Sequence, residues 1–373
     1  MFENNGMTVT IPSAKNCYEI TFYSNIFNCS INHLFAEYDA ILIVSDKHLD
    51  QLDYPDQIRQ KIQSRTDQII QQVILPAGES AKTLASVQQI YQALIENHYG
   101  RNSLILAFGG GCISDVSGYV AATFFRGVDW ISVPTTLLSQ VDAAIGGKTA
   151  INYQGYKNVI GAFWQPKHVL LTPYWLSSLD QCHIANGMAE VIKYACIFDK
   201  TFFHWLKQSK DQLTLADNYT GPWLELIYRC VKWKVNVVQL DATEQHGQRI
   251  LLNFGHTFGH ALESLYLKQG LLHGQAVAIG MGIAAYISYR LGMLEWESCQ
   301  ALFDLLRQYH LSIQLPVDVT AQQLVEKMRL DKKNFNRRAI VLILLKDIGH
   351  GVVVQDIDVN TLTQWIDAYQ KMI

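Results

Sequence analysis

The segment Ser103–Asp115, SLILAFGGGCISD, decides the fold of the N-terminal half of this chain. Its apolar run predicts a strand buried on both faces, as the strands of a parallel sheet are. Three glycines, Gly109–Gly111, then lead into a helix of small residues. Backbone amides in such a turn can bind a phosphate at the helix N-terminus. The run GGGCIS is not the GxGxxG dinucleotide fingerprint, so the glycines could also serve the turn alone.

Other apolar segments predict strands around this one, and the amphipathic run Leu84–Asn97 predicts a helix between them. Strands that alternate with helices favour a mostly parallel, Rossmann-like α/β sheet over the first half of the chain. The further predicted strands are Tyr18–Tyr23, Asp39–Asp46, Val73–Pro76, Trp130–Thr136 and Val169–Pro173.

The pattern becomes helical from about Ser177 onward. We therefore predict two domains, an α/β domain over residues 1–177 and an all-α domain over residues 178–373. The helical segments are Glu190–Tyr194, Trp223–Leu240, the histidine-bearing stretch described next, Gly274–Arg290 and Glu297–His310.

The stretch from Arg249 to His273, RILLNFGHTFGHALESLYLKQGLLH, carries the side chains best suited to bind an ion or a polar ligand. His256 and His260 are four residues apart, which places both imidazoles on one face of a helix, within reach of a common ion or anion. Arg249 and Asn253 continue the same spacing upstream. Glycines at 255 and 259 thin the helix, as if some other group approached its backbone closely. A single histidine on a helix is more often an ordinary core or surface residue.

Composition limits the class of protein. A chain of 373 residues with 49% hydrophobic and 17% charged residues can form two domains, each with its own hydrophobic core. The net charge is -3, so the chain does not have the excess of basic residues that is typical of nucleic-acid-binding proteins. The seven scattered cysteines, without a CxxC pair, indicate reduced thiols and a cytoplasmic setting. We find no signal pattern at the N-terminus and no apolar run of the roughly 18 residues that a membrane span needs.

Four motifs carry a family resemblance: GGGCISDVSG at 109–118, PTTLLSQVDAAIGGKTAIN at 134–152, GMAEVIKY at 187–194 and LLNFGHTFGHALE at 251–263. With shorter matches they span roughly Pro76–Lys333, and the chain resembles 3-dehydroquinate synthase. The resemblance implies a homodimeric enzyme of the shikimate pathway that uses NAD and Zn²⁺, with Co²⁺ as the alternative metal. Such an enzyme converts 3-deoxy-D-arabino-heptulosonate 7-phosphate to 3-dehydroquinate and phosphate. The implied steps are transient oxidation by NAD, β-elimination of phosphate, re-reduction and intramolecular aldol closure.

The resemblance also implies site residues. Glu190, His256 and His273 would bind the metal, whereas helical spacing alone pairs His256 with His260. We follow the resemblance and assign His260 to the substrate phosphate or to a proton relay. The implied NAD contacts are Gly78, Glu79, Lys82, Gly110, Gly111, Asp115, Thr135, Thr136, Asp142, Lys148 and Lys157. The implied substrate contacts are Arg126 (acting across the dimer), Lys148, Lys157, Asn158, Lys193, Lys234, Arg249, Asn253, His260 and one of Lys332 and Lys333.

Several positions depart from the usual pattern of the family. Ser114 and Tyr156 replace glycines, Gln275 replaces a glutamate, and Thr172 lies where an aspartate is common. The loop from 241 to 249 is one residue longer than expected. None of these changes removes a predicted ligand or cation, so we expect them to affect cofactor geometry and turnover, Tyr156 most of all because it adjoins Lys157.

Other interpretations stay open. Glu190 and Lys193, three residues apart on a helix, could form a surface ion pair, and Asp115 could only cap a helix. A related sugar-phosphate cyclase is a second function, although Asp115 and Gly146–Lys148 favour dehydroquinate synthase over the cyclases that make deoxy-inosose. A net polyol dehydrogenase would have no use for so many phosphate-directed cations. A non-catalytic NAD-binding scaffold is the remaining alternative.

Overall fold

The computed structural model describes residues 6–11, 16–63, 67–213, 221–241, 248–266, 270–330, 340–355 and 357–373. Internal contacts divide the chain into two compact units. The sheet unit comprises Met1–Leu179 and Leu215–Thr243, and the helical unit comprises Asp180–Thr214 and Glu244–Ile373. The first boundary therefore lies two residues beyond the domain division predicted after residue 177, and a second segment of the chain returns to the sheet unit.

The sheet unit contains a seven-stranded sheet in the order β1-β2-β9-β6-β5-β3-β4. Only β1 is antiparallel to its neighbour, and the other strands are parallel, which confirms the predicted mostly parallel sheet. All six predicted strands are present, whereas β1 and the separate hairpin β7–β8 were not predicted. The strands are β1 (Gly6–Ile11), β2 (Asn16–Phe22), β3 (Ala40–Asp46), β4 (Ile69–Leu75), β5 (Ser103–Gly109), β6 (Asp129–Pro134), β7 (Lys148–Tyr153), β8 (Tyr156–Phe163) and β9 (His168–Leu171).

Two hydrophobic cores cover the two faces of the sheet. Successive side chains of a strand point to opposite faces, so Leu42 and Val44 of β3 join one core while Ile41 and Ile43 join the other. Both faces of β3 are therefore apolar, as the sequence predicted for a buried parallel strand.

The helices include the predicted helix after β4, which is α3. Its first turn is capped by Thr83, whose hydroxyl accepts a hydrogen bond from the backbone N–H of Ser86 at 3.1 Å. In chain order the helices are α1 (Lys47–Asp50), α2 (Tyr54–Ile62), α3 (Leu84–Glu96), α4 (Gly111–Thr123), α5 (Gln181–Phe198), α6 (Lys200–Gln208), α7 (Pro222–Leu240), α8 (His256–Leu265), α9 (His273–Arg290), α10 (Trp296–Gln308), α11 (Ala321–Leu330) and α12 (Val359–Met372).

The helical unit is not entirely helical, so the prediction of an all-α second half is wrong in one detail. An antiparallel hairpin joins β10 (Leu342–Asp347) to β11 (His350–Val354). Gly349 allows the turn because its φ is 86°. The first four residues of β10 are buried, and β10 packs against α9. None of the helices in the described ranges is long and apolar enough to cross a membrane.

The histidine-bearing stretch is broken at Gly255, which differs from the continuous helical edge that we predicted. Gln248–Asn253 forms a separate 3₁₀ turn, Gly255 adopts a left-handed φ of 78°, and α8 begins at His256. Arg249 therefore does not lie on the same helix edge as the histidines.

The glycines of this stretch serve helix packing. A Cβ atom on Gly255 would lie 2.7 Å from the carbonyl oxygen of Val277, and one on Gly259 would lie 3.2 Å from the Val277 backbone. A Cβ atom on Gly280 of α9 would lie 2.0 Å from the carbonyl oxygen of Gly255. The group that approaches the backbone closely at these glycines is therefore α9.

Candidate active site

Three potential metal donors from three helices meet inside the helical unit. Glu190 lies on α5, while His256 and His273 are the first residues of α8 and α9. Oε1 of Glu190 is 3.3 Å from Nε2 of His256 and 3.4 Å from Nε2 of His273. Ligands at zinc distances of about 2.1 Å span tetrahedral edges of about 3.4 Å. These distances between donor atoms therefore fit a small cation with tetrahedral coordination.

Glu190 is a buried carboxylate with an adjacent cation. The Lys193 ammonium forms an ion pair with its Oε2, and each residue is only 1% exposed. This burial rules out the alternative of an ordinary surface pair. Burial raises the pKa of Glu190, but Lys193 and His256 outweigh it and hold that pKa well below its usual range. Among the described residues neither carboxylate oxygen has a hydrogen bond of normal geometry, as expected of a group arranged for a cation.

Both imidazoles have an acceptor at their second nitrogen. Nδ1 of His256 is 3.1 Å from the carbonyl oxygen of Phe254, and Nδ1 of His273 is 3.3 Å from Oε2 of Glu263. Burial lowers the pKa of His256 to about 4. Burial also lowers the pKa of His273, but Glu190 and Glu263 outweigh it and raise that pKa to about 10. Sequence reasoning assigned no role to Glu263, although it lies seven residues after His256 and so two helical turns along the same face.

The N-terminus of α9, which carries His273, is held by α5. Oδ1 of Asn186 accepts a hydrogen bond from the backbone N–H of Gly274 at 2.6 Å. Asn186 is one helical turn before Glu190, so the same face of α5 positions both a donor and the start of α9. A Cβ atom on Gly274 would lie 2.0 Å from the carbonyl oxygen of Asn186, which shows how closely the helices approach. Sequence reasoning missed Asn186, and its only signal is its spacing from Glu190.

His260 lies beside the donor cluster. Its ring centroid is 5.4 Å from that of His256 and 6.2 Å from that of His273. Together with Glu263 and His273 it forms a second group of donors whose atoms all lie within 4.8 Å of one another. Spacing alone paired His260 with His256, and the structure brings both histidines near His273.

Two predicted substrate residues of the helical unit, Arg249 and Asn253, lie in the 3₁₀ turn before α8. Arg249 is 2% exposed in the 3₁₀ turn before α8, and Nδ2 of Asn253 donates to the carbonyl oxygen of Ile250 at 3.1 Å. Lys332 and Lys333 lie outside the described residues.

A second polar cluster lies in the sheet unit and unites three predicted NAD contacts, Glu79, Lys82 and Asp115, with Asn158, a predicted substrate contact. Nζ of Lys82 is 2.5 Å from Oδ2 of Asp115 on α4, and it also donates to the side chain of Asn158 on β8. Burial lowers the pKa of Lys82, but Asp115 and Glu79 outweigh it and raise that pKa overall. Nδ2 of Asn152 donates to Glu79 at 2.7 Å. Asp115 therefore does not cap α4, whose N-cap is Gly110, and instead neutralises a buried ammonium.

Lys234 of α7 forms an ion pair with Asp142 in the sheet unit, with 2.8 Å between Nζ and Oδ1. The structure thus joins a residue that we assigned to the substrate with one that we assigned to NAD. Lys234 and Asp142 lie in the same unit because α7 packs against elements of the sheet unit.

The glycine turn after β5 is tightly packed. A Cβ atom on Gly109 would lie 2.7 Å from Cγ1 of Ile113, and one on Gly110 would lie 2.9 Å from Cγ2 of Thr136. Thr135 donates its backbone N–H to the carbonyl oxygen of Gly109 at 3.0 Å. Steric need therefore explains Gly109 and Gly110, and a phosphate contact there stays a prediction. Gly111 and Gly78 have more room, with only Ala143 close to a Cβ atom on Gly111 and nothing close to one on Gly78.

Comparison with known proteins decides the family. Family models described as 3-dehydroquinate synthase N-terminal and C-terminal match residues 72–186 and 187–334. A curated 3-dehydroquinate synthase of Dichelobacter nodosus is 40% identical over 94% of this chain and 93% of its own length. The chain belongs to the 3-dehydroquinate synthase family. A curated 3-dehydroquinate synthase of Francisella tularensis subsp. tularensis (strain WY96-3418) is 43% identical over 79% of this chain and 81% of its own length.

A solved relative shares the fold over nearly all of the chain. This structure, ValA (2-epi-5-epi-valiolone synthase) from Streptomyces hygroscopicus subsp. jinggangensis 5008, has NAD⁺ and Zn²⁺ bound. It is 26% identical, with a TM-score of 0.86, over 95% of this chain and 97% of that chain. The α/β sheet with a mainly helical C-terminal part is thus the architecture of the 3-dehydroquinate synthase family and its sugar-phosphate cyclase relatives.

Three departures from the family pattern have local partners in this chain. The hydroxyl of Ser114 is 3.1 Å from that of Ser132 on β6, and both residues are buried. Oγ1 of Thr172 donates to the carbonyl oxygen of Ser24 at 3.0 Å. Oε1 of Gln275 accepts from the backbone N–H of Leu272 at 3.2 Å and so caps α9. Each side chain therefore has a partner for its polar group.

Some predicted site residues lie at exposed or strained positions of the sheet unit. Lys148 and Lys157 on the β7–β8 hairpin are exposed, and Tyr156 is 62% exposed. Arg126 has a φ of 67° and follows Phe125 with a φ of 49°. Consecutive left-handed residues other than glycine are costly and often hold a side chain for function.

Proposed function

We propose that this protein is a 3-dehydroquinate synthase that converts 3-deoxy-D-arabino-heptulosonate 7-phosphate to 3-dehydroquinate and phosphate. The observation that carries the proposal is the donor cluster of Glu190, His256 and His273 with the buried Lys193 beside it. This cluster occurs in a chain that is 40% identical to a curated 3-dehydroquinate synthase over 94% of its length.

Glu190, His256 and His273 would hold the metal ion, Zn²⁺ or Co²⁺. Three protein donors leave one tetrahedral position open for substrate oxygens, as in catalytic zinc sites. When bound, NAD would accept and return a hydride while the metal acidifies the hydroxyl to be oxidised. The glycine turn and the Lys82–Asp115 cluster are our candidates for NAD contacts. The valiolone synthase has NAD⁺ and Zn²⁺ bound, which supports the use of both groups by this chain.

The chain's own cations would bind the substrate. Lys193 and Arg249 are buried cations of the helical unit, so their charges are little screened by solvent. We assign them, with Asn253 and His260, to the phosphate and hydroxyl oxygens, where charge-assisted hydrogen bonds are strongest. Such cations would stabilise the phosphate as a leaving group and keep it in place while it accepts a proton.

A related sugar-phosphate cyclase is the second candidate, favoured by the likeness to ValA (2-epi-5-epi-valiolone synthase). Its identity of 26% is well below the 40% shared with the Dichelobacter nodosus enzyme, so we place dehydroquinate synthase first. The two functions are separated by measuring phosphate release from 3-deoxy-D-arabino-heptulosonate 7-phosphate and from another phosphorylated sugar.

We expect NAD to be recycled within each turnover. With NAD well below the enzyme concentration, the wild-type protein should release many phosphates per NAD, and absorbance at the NADH band should not rise. We expect this result because a hydride that is transferred to NAD and then returned to the substrate regenerates the cofactor in every turnover. Phosphate and absorbance can be followed in one assay. One NADH formed per substrate consumed would instead support the polyol dehydrogenase.

We also propose that the enzyme is a cytoplasmic homodimer. Three large apolar residues of the β8 strand, Tyr156, Val159 and Phe163, are 41–62% exposed, which is typical of a surface that a partner covers. We expect sedimentation to give a dimer for the wild-type protein and a monomer for the variant with Val159→Ser and Phe163→Ser. A monomeric wild-type protein would contradict the proposal.

A further inference from the structure

We propose that Glu263 is a positioning residue that fixes His273 in the tautomer able to bind the metal ion. The proposal rests on the proposed metal site of Glu190, His256 and His273. It adds a residue that touches neither the ion nor the substrate. Glu263 is in the last turn of α8, and His273 is the first residue of α9, so the contact joins two helices.

The two nitrogens of His273 face two different carboxylates. Nε2 is 3.4 Å from Oε1 of Glu190, on the side of the donor cluster, and Nδ1 is 3.3 Å from Oε2 of Glu263. A neutral imidazole carries one proton, and only its unprotonated nitrogen can bind a metal ion. A carboxylate at Nδ1 keeps the proton there and leaves the lone pair of Nε2 directed at the cluster.

His256 shows the same arrangement with a different acceptor. Its Nδ1 is 3.1 Å from the carbonyl oxygen of Phe254, a backbone group. Both proposed histidine ligands thus have an acceptor behind the ring, and Glu263 is the one that a substitution can remove. The side chain of Glu263 is only 11% exposed, so water is a poor substitute for it.

The start of α9 is set independently of Glu263. Asn186 accepts from the backbone N–H of Gly274, and Gln275 accepts from that of Leu272. These contacts hold the backbone of residue 273 but leave its side-chain rotation undetermined. The position of the ring therefore depends on its own partners, and the contact with Glu263 decides which nitrogen faces Glu190.

The test compares two variants of nearly equal size. Glu263→Met removes the acceptor, and Glu263→Gln keeps an oxygen that can accept from Nδ1. We expect Glu263→Met to weaken Zn²⁺ binding by roughly 10–100-fold, and Glu263→Gln to weaken it clearly less. Zn²⁺ affinity is measured by competition with a chromogenic chelator, and the visible spectrum of the Co²⁺-loaded protein reports the ligand geometry. Ser264→Ala, at the exposed neighbouring position, is the control and should match the wild-type protein.

The possible outcomes separate the proposals. Unchanged affinity and an unchanged Co²⁺ spectrum in Glu263→Met would overturn the positioning role, while the proposed enzyme function would stand. Equal losses in the Met and Gln variants would also overturn it, because the acceptor would then be irrelevant. Two Zn²⁺ ions per wild-type chain, one of them lost in Glu263→Met, would instead make Glu263 a ligand with His260 and His273. Failure of the proposed metal site itself would appear as unaltered Zn²⁺ affinity in His256→Ala.

Discussion

Replacing Glu190, His256 or His273 by alanine is expected to remove the bound metal ion and nearly all activity, while His260→Ala keeps the metal. The removal of one of three donors leaves too few for tight binding, and catalysis without the ion loses its Lewis acid. In Glu190→Ala the Lys193 ammonium also loses its buried partner, so this variant should be the least stable of the three. Metal content per chain and phosphate release by the purified proteins are the two measurements.

His260→Ala is the matched control, because His260 lies on the same helix and within 5.4 Å of His256 between ring centroids. We expect its metal content to equal that of the wild-type protein and its activity to fall, since we assign it to the substrate. If His260→Ala loses the ion and His273→Ala keeps it, the helical pair of His256 and His260 is the true ligand set.

Gly274→Ala is expected to weaken both the fold and the metal site. The added Cβ atom would lie 2.0 Å from the carbonyl oxygen of Asn186, and neither atom belongs to a flexible side chain. Helices α5 and α9 must then move apart, which separates Glu190 from His273. Overpacking of this kind costs about 1–3 kcal/mol, and we expect the upper end of that range. Denaturant unfolding gives the loss of stability, and chelator competition gives the loss of Zn²⁺ affinity.

Gly100→Ala is the control for this substitution. Nothing lies within 4 Å of a Cβ atom at Gly100, and the backbone there does not need a positive φ. We expect unchanged metal affinity and a change in stability of less than about 0.5 kcal/mol. Wild-type stability in Gly274→Ala would mean that the close contact between α5 and α9 relaxes at little cost.

Much of the sheet unit could be predicted from local pattern. An apolar run such as Leu104–Phe108 must be buried on both faces, and an alternating order of strands and helices favours a parallel sheet. The strand β1 and the hairpin β7–β8 escaped prediction. The β8 strand is largely exposed, so it has no regular apolar pattern, although its partner β7 directly precedes it in the chain.

The candidate site was only partly accessible from sequence. The motifs named Glu190, His256 and His273 through a family resemblance, whereas helical spacing named His256 and His260. Helical spacing relates residues of one helix only, whereas the cluster of Glu190, His256 and His273 draws one residue from each of α5, α8 and α9.

The sequence by itself determined the residue types of the site, most of the strands of the sheet, and the family. Tertiary structure alone decided which of these residues meet. Gly255 precedes the first residue of α8, and its left-handed backbone and lack of a side chain let Gly280 of α9 approach. That approach, with Asn186 holding Gly274, places His273 between Glu190 and Glu263. Close packing between distant segments sets these positions, and no local period in the chain encodes it.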